Sequence, residues 1–151
     1  MKKVALLVSI VMVLVIFTGC KTSRTPINAD TFIAKAEAAG YIVQDAADER
    51  VENFLIAIKG TDSIDYQIEF IVVSTVEQAK SAYQENYNKI ESKKGTSSVH
   101  SSASIGNYSY YKLTTDGRYY VISRTENTFI YIDASAEYKN EISNFLSVIG
   151  Y

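Results

Sequence analysis

Two periodicities alternate along this chain, and the points where one gives way to the other mark out its elements. Phe32, Ile33, Ala36 and Ala39 recur at helical spacing behind Asn28 and Asp30, either of which can cap a helix that Gly40 then stops. Tyr41-Ile42-Val43 starts a strand, and the polar cluster Asp45, Asp48, Glu49, Arg50 turns the chain out of it. Phe54 to Ile58 is continuously apolar, which predicts a central strand covered on both faces. After a turn at Gly60-Thr61-Asp62-Ser63, Tyr66, Ile68, Phe70 and Val72 alternate with Gln67 and Glu69, the pattern of a half-buried strand. Ser74-Thr75-Val76-Glu77 has the form of a capping box, and Val76, Ala79, Tyr83, Tyr87 and Ile90 form the buried stripe of the helix it opens.

Thr96 to Gly106 is rich in serine and glycine and reads as a mobile connection, with at most a short edge strand around Val99. Asp116-Gly117 is the dipeptide of a two-residue type I′ turn, so Tyr108 to Arg124 reads as a hairpin. Pairing Thr115 with Arg118 sets Leu113 opposite Tyr120 and Tyr111 opposite Ile122 on one face, and puts Tyr110 and Tyr119 on the other. A strand at Thr128 to Asp133 follows, and Ser135 caps a last helix with the stripe Tyr138, Ile142, Phe145, Leu146, Ile149. The expected order is α-βββ-α-βββ-α, an α+β fold with an antiparallel sheet of about six strands and its helices on one face. Two similar βββα units are an open alternative, because both halves end in a strand that runs through serine into a helix.

Ahead of this pattern stands a different one. Lys2 and Lys3 precede an apolar run from Val4 to Phe17 that closes in Thr18, Gly19 and the sole cysteine, Cys20, the layout of a secretory signal peptide. Fourteen helical residues span roughly 21 Å, short of a bilayer core of about 30 Å, which weighs against an uncleaved anchor. Ile16-Phe17-Thr18-Gly19-Cys20 resembles the lipobox of bacterial lipoproteins, with Gly19 and Cys20 kept and Phe17 standing where an aliphatic residue is usual. The resemblance covers residues 1–20 and implies that a lipid is attached to Cys20 and the leader cut before it. The expected organisation is a signal peptide at 1–19, a lipidated cysteine and tether at 20–27, and a single domain at 28–151. The expected location is the extracytoplasmic face of the cell membrane.

Composition narrows the function classes. From Cys20 onward the chain has 132 residues, enough for one core without staples. Removing Lys2 and Lys3 leaves 13 basic against 17 acidic side chains, a net charge of about −4, which does not favour nucleic acid as a partner. A lone, acylated cysteine leaves neither disulfide nor thiol chemistry.

No constellation of catalytic residues stands out. His100 is the only histidine and lies among serines, without an orienting carboxylate or a nucleophile elbow in sequence. Asp45, Asp48, Glu49 and Glu52, and the pair Asp62 and Asp65, lack the spacing of a calcium loop. No phosphate-cradling glycine loop is present, so no catalytic residue, metal or cofactor is assigned.

Twelve tyrosines without a tryptophan are the strongest lead. Tyr108, Tyr110 and Tyr119 on the hairpin, with Arg124 and Asn127 at the next turn, form the candidate contact surface. The alternative is that both faces of the hairpin are covered and these rings stabilise strand pairs. The favoured function is a membrane-anchored, non-catalytic binding module for a protein, peptide or glycan, of which an inhibitor or immunity-type protein is one form. The competing function is a small envelope hydrolase using carboxylates or His100.

Overall fold

The computed structural model describes residues 23–60 and 65–151. The elements are α1 (Ala29–Ala38), β1 (Ile42–Asp45), β2 (Asn53–Lys59), β3 (Tyr66–Val72), α2 (Val76–Glu91), β4 (Val99–Ile105), β5 (Tyr108–Thr115), β6 (Arg118–Thr125), β7 (Thr128–Ser135) and α3 (Lys139–Ile149). Among the described residues, the seven strands form one antiparallel sheet in the order β1-β2-β3-β7-β6-β5-β4. The leader and the lipobox residues Phe17, Thr18, Gly19 and Cys20 lie outside the described residues, as does Asp62.

Local chemistry fixes the boundaries. Asn28 caps α1, its Oδ1 accepting from Thr31 N at 2.8 Å, and Gly40 leaves the helix at φ +80°. The capping box of α2 sits one residue later than the sequence pattern places it. Thr75 Oγ1 accepts from Gln78 N at 3.1 Å, and the Gln78 side chain accepts in return from Thr75 N at 3.0 Å. Ser135 caps a single 3-10 turn, Ala136–Tyr138, and α3 starts only after it. Asp116 and Gly117 take φ +48° and +73°, as a type I′ turn requires, and the pairs Thr115–Arg118, Leu113–Tyr120 and Tyr111–Ile122 form as their spacing predicts.

The Thr96 to Gly106 segment contains a full edge strand, β4, paired along its length with β5. An edge strand that stays mostly exposed needs few apolar residues, so its serines hid it. β2 is not central. Leu55 and Ala57 are buried on one side, whereas Phe54, Ile56 and Ile58 are half-buried on the other.

Helices cover both faces of the sheet, not one. Phe32 and Ala36 of α1, with Ile142, Phe145, Leu146 and Ile149 of α3, pack on Leu55, Ala57, Ile68, Phe70, Val121, Ile130 and Ile132. Phe32 stacks on Phe70 at 4.5 Å between centroids and meets Phe145 edge-on at 6.2 Å. Ala79 and Ile90 of α2 pack on the opposite face, against Ile71, Tyr111, Leu113, Tyr120, Ile122 and Phe129. A one-sided stripe shows that a helix buries one flank; it does not say which side of the sheet receives it.

The alternative of two equivalent βββα units meets the same obstacle. A two-fold axis normal to the sheet, between β3 and β7, would exchange the two strand triplets but keep both following helices on one face. α2 and α3 lie on opposite faces, and among the described residues β4 has no counterpart beside β1.

Candidate functional site

Tyr108, Tyr110, Lys112 and Thr114 are successive positions on one face of β5, the face that carries α1 and α3 further along the sheet. α3 stops short of covering them, so all four are half-buried. The Arg24 guanidinium lies 3.9 Å from the Tyr108 ring centroid; Tyr108 and Tyr110 are stacked at 6.5 Å and 13°; Lys112 Nζ lies 5.4 Å from the Tyr110 centroid. The result is a row, Arg24–Tyr108–Tyr110–Lys112, in which each ring is flanked by its neighbours and offers its edge and hydroxyl.

Arg24 reaches this row because the chain before α1 is gripped by Asn107 at the β4–β5 turn. The Asn107 side chain accepts from Arg24 N at 2.8 Å and donates to Arg24 O at 2.7 Å, and the Arg24 guanidinium donates to the Gly150 carbonyl at 3.1 Å. The tether expected from sequence is therefore docked on the domain from Arg24 on.

A cavity of about 170 Å³ opens next to the row, between the start of α3 and strands β4 and β5, lined by Val99, Ser101, Lys112, Thr114, Tyr119, Lys139 and Ser143 among others. Burial, with Arg24 adding a like charge, pushes the Lys112 ammonium below the usual lysine range. Lys139 Nζ lies 5.7 Å from the centroid of Tyr119. Among the described residues neither lysine pairs with a carboxylate.

The five residues expected to form the contact surface separate. Tyr108 and Tyr110 stand in the row. Tyr119 shares their face but is only 1% exposed, because α3 runs over β6; its hydroxyl meets Ser143 Oγ at 3.3 Å. Arg124 is buried at 4% exposure and donates to the Glu126 carbonyl at 3.1 Å. Asn127 clips the β6–β7 turn to the end of β3 by donating from its side chain to Val73 O at 2.8 Å. Tyr119, Arg124 and Asn127 thus hold the fold together, whereas the sequence pattern placed them on an open surface; a turn residue and an alternating strand look the same from sequence whether or not a helix lies above. Arg24 and Lys139, which complete the arrangement, carry no local motif and come together only through tertiary contacts.

His100 lies on β4 with its ring on the α2 side, 6.0 Å from the Tyr111 ring. The Tyr111 hydroxyl donates to Glu91, whose carboxyl is held below the usual glutamate range chiefly by Lys94 and then by Tyr111. No hydrogen bond among the described residues joins His100 to a serine. Asp45, Asp48, Glu49 and Glu52 line an open cavity of about 360 Å³ at the other edge of the sheet. There Asp48 forks Arg50 at 2.9 and 2.5 Å, and those hydrogen bonds pull its carboxyl down to about 2. Among the described residues no group of three His, Cys, Asp or Glu side chains converges as metal ligands would. No helix among them is long and apolar enough to cross a membrane.

Comparison with known proteins adds little to this picture. No family model matches the chain, and no curated protein matches it. Among solved structures it is similar to a GTP binding regulator from Thermotoga maritima, at 18% identity over 82% of this chain and 84% of that one, with a TM-score of 0.48.

Proposed function

We propose that the chain is an extracytoplasmic lipoprotein, held to the cell membrane through a lipid on Cys20, that acts as a non-catalytic binding module for a partner near the membrane surface. The observation that carries this reading is the preformed row Arg24–Tyr108–Tyr110–Lys112, a half-exposed line of aromatic edges and cations along β5, with Arg24 added from the segment before α1. Rings already stacked by their neighbours lose little rotamer freedom on binding, which is the property that favours tyrosine at recognition surfaces. The leader supports the location: Lys2, Lys3, the apolar run and Gly19-Cys20 are arranged as in a lipoprotein signal.

The test is a photo-crosslinking amino acid at Tyr110 in intact cells, alone and combined with Tyr108→Ala or with His100→Ala. A discrete crosslinked partner in the membrane fraction, with capture reduced by Tyr108→Ala and retained with His100→Ala, is the expected outcome. Loss of function in a folded His100→Ala chain would instead support the hydrolase. Mass spectrometry of the mature N-terminus checks acylation at Cys20 separately.

A further inference from the structure

The cavity between α3 and β5 has a chemistry of its own. Two lysines, Lys112 on β5 and Lys139 at the start of α3, line it together with His100 of β4, and neither lysine meets a carboxylate among the described residues. Hydroxyls line it from four elements: Ser101 on β4, Thr114 on β5, Tyr119 on β6 and Ser143 on α3. Tyr119 is almost wholly buried, and its hydroxyl reaches only the Ser143 hydroxyl, at 3.3 Å, longer than an ordinary O–H···O hydrogen bond. A stronger acceptor in the cavity could therefore draw either hydroxyl from this long contact.

A half-buried lysine beside a second cation is the charge that an anion relieves. Burial and Arg24 both disfavour the charged form of Lys112, and a bound anion reverses that balance. The donor set also distinguishes among anions. A planar carboxylate is matched by the fork of a guanidinium, whereas ammoniums act as point charges and suit phosphate. Here two lysines and hydroxyl-bearing residues from three strands and a helix line one cavity, donors of the kind a phosphate accepts from. Arg24 lies on the same face, at the far end of the tyrosine row, so a chain of linked phosphates would meet cations at both ends. The acidic residues Asp45, Asp48, Glu49 and Glu52 sit at the opposite edge of the sheet, while Glu126 accepts from the Asn107 side chain that holds Arg24.

We propose that the Lys112–Lys139–Ser143 cavity binds a phosphate group, and that the groove running from it past Tyr110 to Arg24 takes a phosphodiester-linked polymer. The proposal rests on the binding-module reading and names the ligand class for that surface.

The test titrates the full chain, purified in detergent, with inorganic phosphate and separately with poly(glycerol phosphate), each at constant ionic strength. Inorganic phosphate is expected to bind saturably and to move the NMR signals of Lys112, Lys139 and Ser143. Lys139→Gln and Lys112→Gln should each weaken it about tenfold or more without lowering the melting temperature by more than a few degrees. The polymer is expected to bind about tenfold or more tighter than the free ion, and Arg24→Gln should weaken the polymer alone. Absence of saturable phosphate binding, or equal binding in both lysine variants, overturns the site; binding of the free ion without a gain for the polymer overturns the groove. If phosphate fails while a partner still crosslinks at Tyr110, the ligand class falls and the binding module stands. If phosphate binds while the polymer gains nothing and no partner crosslinks, the cavity stands and both the groove and the binding module fall.

Discussion

On one face of the sheet, two helices meet alternate residues of β2, β3, β6 and β7, and the seam is filled by Phe32, Phe70 and Phe145 in mutual contact. On the other, α2 is the one helix among the described residues that covers β5, β6 and β7, and beyond its reach Ile56, Ile58, Gln67 and Glu69 stay half-buried. Each face carries apolar residues at a period of two, so the difference lies in how much helix each receives. Coverage, not strand sequence, decides which face is the main core and which keeps polar groups within it.

Five substitutions can break or sharpen this comparison. Phe70→Ala, at a fully buried ring between the helices and the sheet, is expected to cost about 3–5 kcal/mol in urea unfolding. Ile90→Ala on α2 is expected to cost about 2–3 kcal/mol, since the side chains around a single covering helix relax into the space more readily. A larger loss at Ile90 would reverse the ranking of the two faces.

Thr75→Ala removes the cap on which α2 begins and is expected to cost about 1 kcal/mol. Ser74→Ala, which the sequence pattern marks as the cap, should then stay within about 0.5 kcal/mol of the parent.

The smallest effect concerns Glu69, whose carboxyl burial pushes up despite a hydrogen bond from Gln67. Its folded form binds a proton more readily than its unfolded form, so this group's contribution to stability falls as pH rises past the ordinary glutamate value. Glu69→Gln should therefore melt slightly higher than the parent at pH 7 and lose that advantage below pH 4. An unchanged difference across that range would place the residue in water.

The parts of the fold governed by nearest neighbours could be read from sequence. Asp116-Gly117 fixed the register of β5 with β6 pair by pair, and Asn28 and Gly40 bracketed α1. What escaped depends on contacts between distant segments. Ser101 and Ser102 disguised β4, because an edge strand is made by its partner's free hydrogen-bonding groups and not by its own hydrophobicity. The side of the sheet taken by α2 depends on the second apolar face of β5 and β6, which is visible as Tyr111, Leu113, Tyr120 and Ile122 but reads equally well as the first.

The candidate site divides in the same way. Tyr108 and Tyr110 were legible from the hairpin. Arg24 was not, because it is placed by Asn107, 83 positions away, and Tyr119 looked open only because α3 is invisible from β6.

The antiparallel pairing of β3 with β7 also shapes the route by which the sheet assembles. Every other strand pairs with its neighbour in sequence, across turns as short as two residues. The β3–β7 seam instead closes a loop of about 55 residues between Val72 and Thr128. Its closure entropy has to be met before any of its contacts are gained, so the two strand sets are expected to form first as local meanders and their union to limit the folding rate. Until they join, each set exposes the edge that belongs at the centre of the finished sheet, which makes this interval the chain's window for misassociation.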